Sequence, residues 1–221
     1  MLLAARNVGV KKVIFSSSCA IYGNPCTTCL PIKETQKPDP QSPYAATKLM
    51  GELYCDIFSK KYDLETVCLR YFNVYGPRQD PNSEYAAVVP KFINCVKEDK
   101  PLIIYGDGRQ TRDFVFVDDV VNANIVLAET EEKNSQVFNI ASGQSVSINE
   151  LSEKIIELNS SFEKSIDIVH EDFRPGDIRY SSADISNIKT TGFESVHGLK
   201  EGLEKTNDWF SRPFEEEVLV H

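Results

Sequence analysis

The sequence predicts an α/β fold: the C-terminal part of a Rossmann-like, doubly wound parallel sheet, with a smaller α/β substrate-binding domain beside it. Three observations predict it. Residues 13–15 form a short apolar run that ends in serines, a helical stretch starts at Pro43, and a second apolar run covers residues 66–72. The order strand, helix, strand is typical of a right-handed parallel crossover, because parallel neighbours need a long connection.

Each further element follows from its own local pattern. Short apolar runs bounded by turn residues predict buried strands, and longer periodic stretches predict helices. Gly9 predicts a helix stop, Asp118 and Asp119 predict a helix cap, and Ser147 with Glu150 forms a capping box. The predicted helices cover residues 2–10, 43–62, 86–99, 118–129, 147 onward, 184–189 and 199–210, the strands cover 13–15, 66–72, 102–105, 114–117, 137–141 and 166–169, and 73–78 and 174–177 are loops. Residues 215–217 are predicted to be disordered.

Composition excludes several classes of function. The chain has 221 residues, 24 Lys and Arg against 33 Asp and Glu, and a formal charge of -9. Nucleic-acid backbones require clustered cations, so a nucleic-acid partner is not expected. No apolar run approaches the ~18 residues of a membrane helix, and the first residues lack the charged start of a signal peptide. We therefore expect a cytoplasmic protein with no membrane partner.

The six cysteines are predicted to be reduced thiols. They are spread through apparent core and loop segments, unlike the dense spacing of a secreted scaffold. Cys26 and Cys29 form a single C-x-x-C, and no second ligand pair or suitably spaced histidine accompanies it, so no metal site is expected. A disulfide or a redox role for this pair remains an alternative.

Tyr44 and Lys48 are the main candidates for chemistry. They are four residues apart, and Pro43 suits the first position of a helix, so both side chains are expected on one helical face. A tyrosine that acts as a base near neutral pH needs about 4 kcal/mol of differential stabilisation of its phenolate. A lysine ammonium one turn away supplies part of it. The alternative is an ordinary surface pair, but Ser16–Ser18 place further hydroxyls at a neighbouring strand end, where ligands of α/β sheets bind.

Five motifs in order carry a resemblance to a known family. They are FSSSCAIYG at 15–23, YAATK at 44–48, LRYFNVYGPR at 69–78, RDFV at 112–115 and RPGD at 174–177. The chain resembles extended short-chain dehydrogenases/reductases of the NAD-dependent epimerase/dehydratase family, and is most similar to UDP-glucose and UDP-N-acetylglucosamine 4-epimerases. The resemblance extends over residues 1–212.

The resemblance implies an NAD-dependent isomerase of carbohydrate metabolism. Tyr44 would be the catalytic base, Lys48 would bind the nicotinamide ribose and stabilise the phenolate, and Ser18 would hydrogen-bond the sugar 4-hydroxyl. Ser16 and Tyr71 would join Tyr44 and Lys48 in binding the cofactor. The sugar would pass through a 4-keto form without net redox change.

The resemblance also implies a UDP-sugar site. Asn73 would bind the diphosphate, Tyr105 would face the uracil, and Arg112 and Arg174 would neutralise the phosphates. The remaining implied substrate-binding residues are Val88, Asp177, which would accept from the ribose, and Ser181, which would admit or exclude a C2 N-acetyl group. The alternatives are that Asn73 is only a turn residue and that Arg112 only pairs with Asp113.

Other activities within the family are alternatives. Related dehydratases carry Thr-Asp-Glu where this chain has Ser18, Cys19 and Ala20, which disfavours water elimination because the acid and base are absent. A decarboxylase, or a non-catalytic fragment that acts as a binding or partner subunit, remains open. We expect a homodimer, or a separate chain that supplies the nucleotide-binding half.

The family's glycine-rich phosphate loop does not occur in these 221 residues. Residues 1–80 and 112–142 are therefore expected to form only part of an NAD-binding domain, and residues 81–111 and 143–221 a nucleotide-sugar-binding domain. We expect a polypeptide of these residues alone to bind NAD weakly or not at all, to be inactive, and to be poorly soluble or oligomeric.

Overall fold

The computed structural model describes residues 1–81, 87–130, 135–159, 166–174 and 176–211. The predicted tail at 215–217 lies outside these ranges. The helices are α1 (Leu2–Asn7), α2 (Pro43–Tyr62), α3 (Val88–Lys97), α4 (Val117–Glu129), α5 (Ile148–Leu158), α6 (Ser186–Lys189) and α7 (Leu199–Ser211). The strands are β1 (Lys12–Ser18), β2 (Glu65–Tyr71), β3 (Asn73–Tyr75), β4 (Leu102–Tyr105), β5 (Thr111–Phe116), β6 (Gln136–Ile140), β7 (Ser145–Ser147) and β8 (Ile168–Glu171).

The main sheet is parallel, as predicted, with strand order β1-β2-β6. Its central strand β2 is buried on both faces because neighbouring elements cover them, and Val67, Cys68 and Leu69 are 0% exposed. The register places Ser18 opposite Tyr71 and Tyr71 opposite Ile140, so the polar ends of β1 and β2 lie side by side. Within the described residues β1 pairs with β2 alone, which makes it an edge strand.

Two smaller sheets lie beyond the end of β2. Strand β5 pairs in parallel with β3 and antiparallel with β7, and β4 pairs in parallel with β8. The predicted capping box is confirmed: Ser147 Oγ accepts from Glu150 N, and Glu150 Oε2 accepts from Ser147 N. This cap starts α5 directly after β7.

The buried apolar residues form two clusters. One surrounds the main sheet and includes Leu69, Phe138 and Ile188. The other packs α3, α5 and α7 against β4 and β5 and includes Phe92 and Leu203. Two cores suit the division into a cofactor-binding and a sugar-binding part, but the domain boundaries given above stay a prediction.

The prediction that Asp118 and Asp119 cap α4 is wrong. The helix is preceded by Phe116 in extended conformation with no side-chain cap, and both aspartates lie in the first turn. Asp119 is buried instead, and it accepts hydrogen bonds from Ser195 Oγ at 2.7 Å and from the backbone of His197 at 3.2 Å. Residues 195–197, later in the chain, pack on the start of the helix and donate hydrogen bonds to this carboxylate.

The prediction that all six cysteines are reduced is wrong for two of them. A short 3-10 turn, Thr27–Cys29, brings the Cα atoms of Cys26 and Cys29 to 5.4 Å, within the range that a disulfide spans, and the two are joined. The other four are free thiols.

In the described ranges no helix has the length and apolarity to span a membrane.

Candidate active site

The amino end of α2 presents Tyr44 and Lys48 as predicted. Ser42 caps the helix by accepting from Ala45 N at 3.1 Å, and Pro43 occupies the first turn. Lys48 Nζ lies 5.5 Å from the centroid of the Tyr44 ring, so the two side chains share one face. Tyr44 is 55% exposed, which leaves its hydroxyl open to a ligand.

The end of β1 meets this helix face. Lys48 Nζ donates to the backbone oxygen of Ser16 at 2.8 Å. Ser18 Oγ accepts from Ala20 N at 3.2 Å and so caps the short 3-10 helix that follows, Cys19–Tyr22. Its own hydroxyl hydrogen remains available to donate. Ser18 therefore caps this turn, and its hydroxyl can donate as well as accept.

Tyr71 lies beside these residues at the end of β2. Its hydroxyl is 3.4 Å from Ser16 Oγ and accepts from Asn124 Nδ2 at 3.0 Å. Asn124 is on α4, so this contact links β1, β2 and α4 at one corner of the sheet. Lys48, Ser16 and Tyr71 together offer polar groups for the ribose and amide of a nicotinamide.

A cavity of about 200 Å³ is lined by residues of β3, α3, β4, β5 and α5 and by two residues of the 174–177 segment. Six of the seven residues predicted to bind the sugar nucleotide line it: Asn73, Val88, Tyr105, Arg112, Arg174 and Asp177. Four of these residues come from three separate motifs, Val88 and Tyr105 lie between the motifs, and only the fold brings the six together. Asn73 is a strand residue that pairs with Phe114, so the alternative that it is only a turn residue is wrong.

Arg112 and Asp177 form an ion pair in the wall of the cavity. Arg112 Nη2 lies 2.5 Å from Asp177 Oδ1, and Nη1 donates to Thr111 O at 2.8 Å. Burial lowers the pKa of Arg112 and Asp177 opposes this effect, but an arginine remains a cation at neutral pH. Arg112 is thus a cation in the wall of the cavity, with Asp177 as its counter-ion.

The alternative that Arg112 pairs with Asp113 is wrong, because neighbouring strand residues point to opposite faces. Asp113 is 0% exposed, and burial raises its pKa. It accepts from Ser142 Oγ at 2.8 Å and from Ala183 N at 3.2 Å. Asp113 therefore anchors the segment that carries Ser181, which is itself buried.

The aromatic wall of the cavity is covered by a cation. The guanidinium of Arg174 lies 3.6 Å from the centroid of the Tyr105 ring, a cation–π contact that holds the arginine beside Asp177. A planar base that stacked on this face of Tyr105 would displace the guanidinium. Arg174 is exposed, so it has room to move toward a phosphate.

Gln110 is a candidate site residue that the sequence motifs did not indicate. Its Nε2 donates to Tyr105 O at 2.8 Å, which fixes the orientation of the amide. Its Oε1 is a buried acceptor for which the described residues offer no donor, and Gln110 lines the same cavity. A buried acceptor without a partner is uncommon and suits a ligand N–H or O–H. The available signal was its position between the Gly106-Asp107-Gly108 turn and the RDFV motif at 112–115.

Not every predicted residue meets in this cavity. Tyr44, Lys48, Ser18 and Ser181 are not among the residues that line it. A second, apolar groove of about 370 Å³ lies between α1, β1 and α2, against Leu3, Phe15 and Tyr54, and offers no polar side chain suited to catalysis. Within the described ranges no three His, Cys, Asp or Glu residues are grouped to hold a metal ion.

Comparisons with known proteins identify the family of the chain. The sequence profile of the NAD dependent epimerase/dehydratase family matches residues 1–141. The chain is 36% identical over 205 residues to a putative UDP-glucose 4-epimerase of Methanocaldococcus jannaschii, covering 92% of this chain and 64% of that protein. It is 38% identical over 212 residues to a UDP-glucose 4-epimerase of Mycolicibacterium smegmatis, covering 94% of this chain and 64% of that protein. The chain thus spans less than two thirds of the length of either.

A solved structure is also similar to this chain. UDP-N-acetylglucosamine 4-epimerase from Methanobrevibacter ruminantium, in complex with UDP-N-acetylmuramic acid, superposes with a TM-score of 0.88 at 47% identity, over 94% of this chain and 65% of that one. The fold is therefore that of Rossmann-like epimerases. Proteins named as dehydratases and decarboxylases also match the chain.

Proposed function

Since the chain belongs to the NAD dependent epimerase/dehydratase family, we propose that it inverts C4 of a UDP-hexose through a 4-keto intermediate. The observation that carries the proposal is the convergence on one cavity of six residues that the family resemblance implies for the sugar nucleotide. The contact of Lys48 with Ser16 at the neighbouring strand ends supports it. The term NAD-binding form denotes any protein that contains residues 1–221 and binds NAD.

Tyr44 is proposed to remove the proton from the sugar 4-hydroxyl. Its exposed phenol shares one helical face with Lys48, whose Nζ lies 5.5 Å from the centroid of the Tyr44 ring. Ser18, which keeps a free donor hydrogen, would orient the same sugar oxygen. Bound NAD would supply the hydride acceptor and donor for C4. Lys48, Ser16 and Tyr71 are the residues that would hold its nicotinamide end.

The cavity is proposed to hold the UDP group. Arg112 and Arg174 would donate charge-assisted hydrogen bonds to the diphosphate, assisted by Asn73. Tyr105 would face the uracil, and Asp177 would accept from the ribose. Gln110 adds an acceptor for a ligand N–H or O–H, since its Oε1 lacks a partner in the described structure. The uracil would take the face of Tyr105 that Arg174 now covers.

Dehydration is the less favoured reaction. Water elimination needs an acid and a base beside Ser18, but Ala20 has no titratable group. Desolvation by burial raises the pKa of Cys19 to about 12, so its thiol stays neutral and is a poor proton carrier. A chromatographic assay that separates the C4 epimers of a UDP-hexose, with the NAD-binding form as catalyst, tests the proposed reaction.

A polypeptide that binds a partner without catalysing a reaction is the second candidate. It is favoured by the lack of a G-x-x-G-x-x-G motif in these 221 residues. This candidate predicts that UDP-sugars bind to the cavity but no epimer forms, even when NAD is bound.

Ser181 is expected to admit N-acetylated sugars. The side chain is small and 5% exposed, and by its position four residues after Asp177 it is proposed to lie at the sugar's C2 substituent. We expect the NAD-binding form to epimerise UDP-N-acetylglucosamine, and Ser181→Tyr to reject it while keeping UDP-glucose. Initial rates with the two substrates measure the preference.

The matched control for this substitution is Ser181→Ala, which keeps the site small and should retain both substrates. A wild-type protein that epimerised only the non-acetylated sugar would show that Ser181 does not set this preference. The 47% identical neighbour named as a UDP-N-acetylglucosamine 4-epimerase supports the expectation.

A further inference from the structure

Three consecutive serines at the end of β1 have three different partners. Ser16 offers its backbone oxygen to Lys48, and Ser18 caps the turn that follows. Ser17 points the other way: it is 2% exposed, and its Oγ donates to Glu52 Oε1 at 2.5 Å. Glu52 is on α2, one helical turn after Lys48. A buried bond therefore lies directly beneath the Tyr44 and Lys48 face.

The same carboxylate also binds β2. Arg70 Nε donates to Glu52 Oε1 at 2.9 Å and Nη2 to Oε2 at 2.7 Å, and both side chains are buried. Burial by itself lowers the pKa of Arg70, but its hydrogen bonds to Glu52 and the nearby charge outweigh this and raise the pKa above the usual range. Arg70 is therefore a cation inside the protein.

Arg70 extends the contact to the loop before α2. Its Nη1 donates to the hydroxyl of Tyr22 at 2.8 Å and to Glu34 O at 2.9 Å. The Tyr22 hydroxyl in turn donates to Asn139 Oδ1 on β6 at 2.6 Å. The pair thus ties α2, β1, β2 and β6 together in a single hydrogen-bonded network.

Helix α2 rests closely on β1 beside this pair. A Cβ atom added to Gly51 would lie 2.1 Å from Cζ of Phe15, so no side chain separates helix and strand at this point. The next residue is Glu52. Close contact at Gly51 and directional bonds at Glu52 together restrict both the rotation and the sliding of the helix.

A buried ion pair is a poor source of stability, because both ions lose their hydration and a well-packed apolar pair of similar volume does as well or better. Its distinguishing property is geometry: the bidentate contact of guanidinium and carboxylate is planar and directional. Geometry matters most where reacting groups must be held in place, since a displacement of about 1 Å is enough to lower a rate.

We propose that Ser17, Glu52 and Arg70 form a positioning clamp that fixes α2 against β1 and β2 and so holds Lys48 on Ser16 O. The structural part of this inference depends only on the contacts described. Its catalytic consequence, the placement of Tyr44 and Lys48 at the sugar and cofactor, rests on the proposed function.

The deciding variant is Ser17→Ala, which removes one bond of the clamp and leaves Glu52 paired with Arg70. Its matched control is Thr66→Val, which removes a buried bond of the same helix, Thr66 Oγ1 to Cys55 O at 3.1 Å, far from Lys48. Acylation of each lysine with acetic anhydride is followed by mass spectrometry on the 221-residue chain. We expect Lys48 to react about 3-fold faster in Ser17→Ala, the scale of one lost hydrogen bond, and at the wild-type rate in Thr66→Val.

The kinetic readout uses the NAD-binding form. Ser17→Ala should lower kcat about 10-fold with little change in KM, because a clamp that only positions groups for reaction does not bind the substrate. Thr66→Val should keep wild-type kcat. Glu52→Gln, which leaves Arg70 without its counter-ion, should lower kcat further; if it fails to fold, Ser17→Ala still decides.

The outcomes separate the two claims. Unchanged Lys48 acylation in Ser17→Ala, or an equal rise in Thr66→Val, overturns the clamp. A wild-type kcat in Ser17→Ala also overturns the clamp. If the wild-type NAD-binding form turns over no UDP-hexose, the proposed function fails, and the acylation rates alone decide whether the clamp holds Lys48.

Discussion

Tyr44→Phe is expected to lower kcat for C4 epimerisation by at least ~10²-fold in the NAD-binding form, the usual scale for the loss of a general acid or base. The substitution removes the hydroxyl that is proposed to accept the 4-OH proton and leaves the ring in place. KM should change little, because the cavity residues Arg112, Tyr105 and Asp177 are proposed to bind the nucleotide. Steady-state kinetics with the wild type in parallel measure both constants.

The matched control for this experiment is Tyr62→Phe. Tyr62 is on the same helix, is 44% exposed, and is not among the residues that line the apolar groove. Tyr62→Phe should retain wild-type kcat. Near-full turnover of Tyr44→Phe would remove Tyr44 from the mechanism.

A polypeptide of residues 1–221 alone is expected to show no NAD binding at micromolar concentration. A dinucleotide is held mainly at its pyrophosphate, by backbone amides and a helix N-terminus that glycines allow it to approach. These residues contain no glycine-rich loop of that kind, and Lys48, Ser16 and Tyr71 contact only the nicotinamide end in the proposed mode. Isothermal calorimetry with NAD measures the binding.

The companion experiment supplies a segment with the G-x-x-G-x-x-G motif, fused or in trans, and should restore NAD binding and epimerase activity. The edge of β1 and the apolar groove beside it, with Leu3, Phe15 and Tyr54, are where such a segment should add. Size-exclusion chromatography should show self-association of the chain alone. Micromolar NAD binding by the chain alone would contradict this account of the cofactor site.

Local patterns predicted much of the fold. The short apolar run at residues 66–72 predicted a buried strand, and the structure confirms it as β2, in which five consecutive residues are buried. Pro43 and the spacing of Tyr44 and Lys48 predicted a shared helical face, which the distance between Lys48 Nζ and the Tyr44 ring confirms. In each case the signal lies within a few residues of the chain, where propensity and periodicity act.

Contacts between distant residues could not be predicted in this way. Asp119 looked like a helix cap, but the segment at Ser195, far along the chain, takes its carboxylate. Glu52 and Arg70 are 18 residues apart and carry no sequence signal that they pair inside the protein. Gln110 became a candidate only when its Oε1 proved to lack a partner in the described structure. Packing sets these partners, and a single sequence does not show it.

The most direct test of the proposed reaction is the fate of deuterium placed at C4 of the UDP-hexose. The NAD-binding form is incubated with the 4-deuterated sugar nucleotide. The products are then separated, and their masses are measured by mass spectrometry. Removal and return of the same hydride within one pocket predicts two C4 epimers that both keep the deuterium and the mass of the substrate. Loss of a water mass, loss of deuterium to solvent, or no epimer at all with NAD bound would contradict the proposal.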